Sequence, residues 1–268
     1  MNYIRTERTT EIYQMNATHF HDSIELYYQV TGEKEYFIKD RTYHIIPGDL
    51  IFIAENTLHK TFVGSKGPMD RILVEIHRQA LLKNYANLNL RPLFHIFDQK
   101  SSVFRLPLKI QHEVYRLLSA LDACESMDTP LYPVNTLKVA RLIELLHYLN
   151  ITFKQMPRLT ENHCNLHTNK IFKYVNHHYA ETLTLERLSA QFGLNKYYLC
   201  KIFKESSGFT LTEYQNTIRI KKAVELLQHT PLNITEISEK IGYNDSSYFG
   251  KVFKRYMKVS PLKFRKHL

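Results

Sequence analysis

Residues Leu185 to Tyr214 recur, shifted by 49 and then 50 positions, from Ile234 to Phe264. Leu185, Leu188, Phe192 and Gly193 become Ile234, Ile237, Ile241 and Gly242. After one inserted residue, Asn195, Tyr198, Leu199, Lys201, Phe203 and Lys204 become Asp245, Tyr248, Phe249, Lys251, Phe253 and Lys254. Each copy spells a helix, a glycine turn and a second helix with a basic outer face. A chain that writes this plan twice must fold into two equivalent helix-turn-helix units, the arrangement of a double DNA reader.

The charge distribution points the same way. The net charge is +10, and residues 161–268 hold 17 Lys and Arg against 9 Asp and Glu, so this part carries +8 of it. A basic surplus confined to one region is the electrostatic footprint of a polyanionic partner. With 268 residues and 44% hydrophobic content the chain can bury two compact cores. The cysteines Cys124, Cys164 and Cys200 are odd in number and scattered, which suggests neither a disulfide framework nor a Cys-based zinc site. No apolar leader and no run of about 18 apolar residues occurs, so the expectation is a cytoplasmic protein without a membrane partner.

From Glu11 to His77 the apolar residues fall in short runs broken by turn signals. Strands are predicted at Ile24 to Thr31, Lys34 to Lys39, Thr42 to Ile46, Asp49 to Ala54 and Ile72 to His77, closing as antiparallel hairpins into a barrel or sandwich. Gly32, Asp40-Arg41 and Pro47-Gly48-Asp49 supply the turns. Period-2 alternation sets Glu25, Tyr27 and Gln29 on one face. Further on, Ile110, Val114, Leu117, Leu118 and Leu121 form one helical stripe and Leu142, Leu145, Leu146 and Leu149 another, kept apart by Pro130 and Pro133. These stripes either pack on the barrel or provide a dimer seam. The polar stretch from Phe153 to Asn169 reads as the linker, dividing the chain into 1–161 and 162–268.

In the second half a first helix is predicted from Ile171 to Tyr179. Thr184 caps the next, Gly193 turns the chain, Asn195 caps the first reader helix and Gly208 ends it. A long helix spans about Thr212 to Gln228. Asn233 with Glu236 reads as a capping box, Asp245 caps the second reader helix, and Ser260-Pro261 opens a last short one. Lys258 stands where Gly208 stands in the first copy, so the second helix stop must hold a side chain in left-handed geometry at a cost of about 1 kcal/mol.

Together, the pattern Leu185, Leu188, Phe192-Gly193, Leu199, Lys201, Phe203-Lys204, the stretch Arg219, Ala223, Leu226-Leu227, and the run Ile237, Ile241-Gly242-Tyr243, Asp245, Ser247-Tyr248-Phe249, Lys251, Phe253-Lys254 with Ser260-Pro261 and Phe264-Arg265 closely resemble the AraC/XylS family of bacterial transcription regulators. The resemblance is strong over residues 170–266. It implies an α+β multidomain chain: an N-terminal cupin-like β-barrel with a helical dimerisation segment, then an all-α tandem helix-turn-helix domain. It implies reader helices in the major groove of double-stranded DNA, held one helical turn apart by the long helix. A helix of 17 residues rises roughly 25 Å, in keeping with a spacing of ~34 Å once the units' width is added.

Carried over position by position, the resemblance places Lys196, Tyr197, Cys200 and Lys201 of the first reader helix, and Ser246, Ser247 and Lys251 of the second, against bases. Gly250, between them, has no side chain to read with. Asn195, Lys204, Asp245 and Lys254 fall at phosphates. His19, His21 and Glu25, with Pro47, Asp49 and His59, resemble the paired motifs of the cupin barrel. The expected use of His19, His21, Glu25, Tyr27 and His59 is an effector pocket for a hydroxyl-rich ligand, possible carbohydrates included. The alternative is a metal site of His19, His21, Glu25 and His59 for Fe, Mn, Zn or Ni. The expected protein is a DNA-binding regulator, an activator, with a small-molecule effector, a homodimeric state and RNA polymerase as partner. No catalytic residue and no cofactor is assigned. The rivals are a metal-dependent cupin enzyme fused to a DNA-binding domain and a regulator without a ligand.

Overall fold

The computed structural model describes residues 3–10, 21–62, 69–98, 102–127, 134–156 and 166–266. The chain divides into two compact units, Met1–Asn162 and His163–Leu268.

The first unit is built on eight strands: β1 (Ile4–Thr9), β2 (Ile24–Thr31), β3 (Lys34–Ile38), β4 (Arg41–Ile45), β5 (Asp49–Ile53), β6 (His59–Thr61), β7 (Asp70–Ile76) and β8 (Val103–Arg105). They form a five-stranded sheet in the order β1-β7-β2-β5-β8 and a three-stranded sheet in the order β4-β3-β6, with all pairs antiparallel. The five predicted strands are present within two residues of their expected ends. Strands β1, β6 and β8 were not anticipated. They are short or, in β1, heavily charged, and they gain their conformation from a neighbour: Ile4 to Thr9 pair along the length of β7.

The pleat gives the large sheet two different faces. On one, Ile24, Leu26, Tyr28, Ile72, Val74 and Ile76 pack beneath helices α2 (Leu108–Asp122) and α3 (Val134–Thr152), which follow a short helix α1 (Arg78–Asn84). Both predicted helical stripes, from Ile110 to Leu121 and from Leu142 to Leu149, are consumed in this core. The idea of either stripe as a dimer seam is therefore corrected: burying a Leu under the sheet stabilises its own chain by roughly 1.5–3 kcal/mol and leaves nothing for a partner. Pro130 and Pro133 lie outside the described residues. On the other face, Tyr27, Ile51, Ile53 and Val103 meet Tyr36, Ile38, Tyr43 and Ile45 of the small sheet.

The second unit is all helical: α4 (Leu166–His177), α5 (Leu185–Phe192), α6 (Lys196–Ser207), α7 (Leu211–His229), α8 (Ile234–Lys240), α9 (Ser246–Met257) and α10 (Pro261–Lys266). Helix α4 begins five residues before its expected start, so the end of the supposed linker, Leu166 to Asn169, is helical; Met156, near its other end, is buried. Thr184, Asn195, Asn233 and Asp245 cap as expected, and the Asn233–Glu236 capping box is complete. A second box, Thr210 with Glu213, opens α7. Lys258 does adopt the left-handed conformation, at φ 63° against 71° for Gly208.

The two glycine turns are not equivalent. Gly193 has φ 64° and open space where a Cβ would lie. Gly242 has φ 90°, and a Cβ there would stand 2.0 Å from the Ala180 carbonyl oxygen. The second turn thus lies hard against the segment after α4, where the first has no such neighbour. Gly193→Ala should therefore cost only the left-handed strain, about 1–2 kcal/mol, whereas Gly242→Ala must also move backbone and should cost roughly 3 kcal/mol or more. Urea unfolding of fragment 163–268 measures both, and equal costs would show that the Ala180 contact yields freely.

Candidate DNA interface and effector cluster

In each reader helix the inward residues are fixed by packing. Leu199, Ile202 and Phe203 of α6, and Phe249, Val252 and Phe253 of α9, are buried. The helical period then forces the intervening positions outward. Lys196, Tyr197, Cys200, Lys201 and Lys204 are all exposed, Tyr197 by 80%. Ser246, Ser247, Lys251 and Lys254 are exposed on α9, and nothing lies within 4 Å of where a Cβ at Gly250 would stand. Each expected contact residue thus lies on an open helical face.

The helix starts are partly used already. Asn195 Oδ1 accepts from the Tyr197 N–H at 2.8 Å and Asp245 Oδ1 from the Ser247 N–H at 2.7 Å. A phosphate approaching either terminus must use the other first-turn amides, and beside Asp245 it meets a carboxylate of its own sign. Lys196 is also engaged, its Nζ 2.6 Å from Glu186 Oε1 at the start of α5. Sequence reasoning missed this pair, because the nine intervening residues include the turn that folds α6 back onto α5. It also missed exposed Tyr198 and Tyr248.

Helix α7 packs against α4, α6, α8, α9 and α10. Its Arg219, read from sequence as a basic residue of the long helix and as part of the family-like pattern, is half-buried. The guanidinium donates to the carbonyls of Tyr179 at 2.7 Å and Glu181 at 3.0 Å, and its carbon lies 5.0 Å from the Tyr243 ring centre. Gln215 Nε2 donates to the same two carbonyls, and the Tyr243 hydroxyl donates to Asn216 Oδ1. Residues of the long helix thus bind the end of the first helix and the turn of the second unit in one network.

In the first unit, three of the predicted polar residues meet between the sheets. His21 Nε2 lies 2.9 Å from Glu25 Oε1, and His59 Nε2 lies 3.4 Å from Glu25 Oε2. The two imidazoles stand edge to face with centres 5.1 Å apart. Each directs its Nδ1 elsewhere, His21 to the Ser23 carbonyl at 3.0 Å and His59 to the Thr57 carbonyl at 2.8 Å. Tyr27 lies farther along the same face of β2, beside Tyr36, and its hydroxyl donates to Gln29. His19 lies outside the described residues. The Pro47-x-Asp49 part of the motif is structural: Asp49 accepts from the Ile46 N–H, tying the turn before β5, and binds Arg105 through two bonds of 2.9 and 3.0 Å.

The three atoms of His21, Glu25 and His59 that face one another all lie within 4.8 Å, a spacing that fits a divalent ion. Without one, the same atoms stand in ion-pair contact with one another. Burial opposes ionisation of Glu25, yet the His21 and His59 contacts overcome it and hold the carboxyl well below the usual range. Burial likewise opposes protonation of His21, and the Glu25 contact reverses this, raising its pKa above the ordinary 6.5.

The signs fix a pH window. A depressed Glu25 stabilises the fold above its unfolded value of about 4.3, and a raised His21 stabilises it below about 6.5, the benefit fading as pH climbs through the folded value. The thermal midpoint of the protein minus that of His21→Gln should therefore peak near pH 5–6 and shrink above pH 7. A difference independent of pH would mean that His21 is held neutral.

The family model described as AraC-like ligand binding domain matches residues 4–146, and a helix-turn-helix domain model matches residues 188–267. The Msm operon regulatory protein of Streptococcus mutans is 35% identical over 144 residues, 53% of this chain and about half, 51%, of that protein. The lactose operon transcription activator of Staphylococcus xylosus is 24% identical, with 94% of this chain and 86% of its own length aligned. The solved structure of ToxT from Vibrio cholerae covers 100% of this chain and 99% of its own at 18% identity, with a TM-score of 0.40.

Proposed function

The chain belongs to the AraC family of transcription regulators, with a ligand-binding domain ahead of a helix-turn-helix DNA-binding domain, and from that premise we propose that it is a sequence-specific activator switched by a small molecule. The carrying observation is the pair of reader helices, α6 and α9, each with its inner face buried and its outer face open. In this reading Lys196, Tyr197, Cys200 and Lys201, with Ser246, Ser247 and Lys251, face bases. Lys204 and Lys254 hold phosphates, together with the helix starts at Asn195 and Asp245. Lys196 exchanges Glu186 for DNA on binding. Residues 1–161 form the effector domain and 162–268 the DNA-binding domain.

The effector enters between the sheets, where Glu25, Tyr27, His21 and His59 present donors and acceptors suited to hydroxyl groups; His19, outside the described residues, belongs to the same expected set. A relative that activates a lactose operon supports a carbohydrate class. Such control needs only a ligand whose affinity differs between two states of the protein, without catalysis. The regulator acts in the cytoplasm as a homodimer and recruits RNA polymerase. The convergence of His21, Glu25 and His59 favours one second reading, a bound divalent metal. One equivalent of metal per chain, retained through dialysis and lost in His21→Ala, would establish it.

The DNA reading separates positioning from recognition. Lys204→Ala and Lys254→Ala should weaken binding to every sequence alike and lower the salt slope by up to about 1 each. Lys201→Ala should relax preference at particular base pairs, at a cost of roughly 1–3 kcal/mol. Selection from a random duplex pool followed by sequencing measures both, and an unchanged motif in Lys201→Ala would make Lys201 a backbone contact.

A further inference from the structure

The space between the two sheets is not uniformly polar. At the end marked by Glu25, the charged groups are acids and imidazoles: Glu25, His21, His59 and Glu75, whose Oε1 accepts from Ser23 at 2.7 Å. Four residues along β2, about 13 Å away at the rise of a strand, the sign reverses. Gln29 stands opposite Arg71 in the register of β2 and β7. Arg71 is only 4% exposed, and its guanidinium carbon lies 5.9 Å from the centre of the Tyr27 ring. Lys34, at the start of β3 in the facing sheet, is 1% exposed, with its Nζ 5.6 Å from the same ring. Two cations therefore converge on Tyr27 from different sheets.

Among the described residues a carboxylate, Glu7, answers Arg71. Glu7 Oε1 binds Arg71 Nη2 at 2.8 Å, while the nearby Asp70 is committed to Arg8 at 2.6 Å. The Lys34 ammonium makes no hydrogen bond among the described residues. Thr61, on the neighbouring strand β6, likewise buries its hydroxyl there without a partner. Burial, then the charge of Arg71, lowers the Lys34 pKa to about 8, which still leaves it mostly protonated at neutral pH. A protonated amine enclosed by protein without a counter-ion is costly, and a π face compensates it only in part. Such a group persists where a ligand supplies the missing charge.

We propose that Lys34 and Arg71 form an anion subsite, so that the effector carries a carboxylate or a phosphate monoester at the Gln29 end and directs its neutral hydroxyl groups toward Glu25 and the imidazoles. This rests on the reading of the space between the sheets as the effector site. It narrows the effector from any carbohydrate to an acidic or phosphorylated small molecule, and the opposite signs of the two ends fix which way round it lies.

The test uses the full chain and two simple probes, inorganic phosphate and acetate, each against chloride at constant ionic strength. At about 50 mM either probe should raise the thermal midpoint by about 2–4 °C. The gain should vanish in Lys34→Met and persist in Lys34→Arg, which keeps the charge. Lys34→Met should itself melt above the ligand-free wild type, since it removes the uncompensated charge. A rise with phosphate alone assigns a phosphate ester, and a rise with acetate alone assigns a carboxylate. No rise with either, or an equal rise in the wild type and Lys34→Met, overturns the subsite. Binding of the protein to its selected duplex, with each probe and with neutral sugars, separates the two levels. A neutral sugar that alters DNA binding while the anions do nothing preserves the effector reading and sinks the anion subsite. A Lys34-dependent anion shift with no effect of any probe on DNA binding leaves the subsite standing and removes its regulatory role.

Discussion

The guanidinium of Arg219 ties three parts of the DNA-binding unit together. It donates to carbonyls of the chain leaving α4 and lies over the ring of Tyr243, in the turn between α8 and α9. Two helix-turn-helix units joined by one long helix have no inherent reason to keep a fixed angle about that helix. A charged group held over carbonyl dipoles in a half-buried site supplies directional bonds that packing alone does not, and hydrogen bonds to charged groups are among the stronger ones. The missing Cβ of Gly242 lets the second turn come close enough for Tyr243 to complete the arrangement. DNA presents its major groove at a fixed pitch, so the affinity of a double reader depends on this angle as much as on the residues it displays.

The ligand-binding unit solves a different problem. Its large sheet is covered on both faces, by helices on one and by the small sheet on the other, so a continuous apolar interior would have been the cheapest arrangement. Instead the inner face carries Glu25, Gln29, Arg71 and Glu75, with Lys34 and His59 opposite. Buried charges of this kind stabilise a fold weakly or not at all. On the opposite face the charged pair Arg8–Asp70 stands at the strand ends while Ile24, Leu26, Ile72 and Val74 fill the centre, and it is the inner face that the proposed effector site uses.

The two units also differ in what a ligand would have to change. The reader faces of α6 and α9 are already formed, with caps, turns and inner packing complete. Under the proposed reading, a ligand therefore has no need to build the readers. It needs only to change how often they engage DNA, and a ligand does that through unequal affinity for two states.

Local chemistry made much of this legible from the sequence. Caps at Thr184, Asn195, Asn233 and Asp245, the stop at Gly208 and the outward faces of the reader helices follow from side chains acting within one or two turns of themselves. The five main strands follow from short apolar runs broken by turn signals, and the meeting of His21, Glu25 and His59 from a motif. What tertiary structure decided came from residues distant in sequence. Strand β1, charged and unremarkable alone, exists because β7 offers it an edge. The helical stripes, free on paper to join two chains, are spent on the sheet. Arg219 reads in the sequence as part of the family-like pattern, and only folding brings the Tyr179 and Glu181 carbonyls beneath it; Lys34 reads as the first residue of a strand, and only the facing sheet encloses it. In each case a side chain's environment was set by a partner that no local pattern encodes, and burial, which turns an ordinary lysine into an unsatisfied charge, is a property of the assembled fold alone.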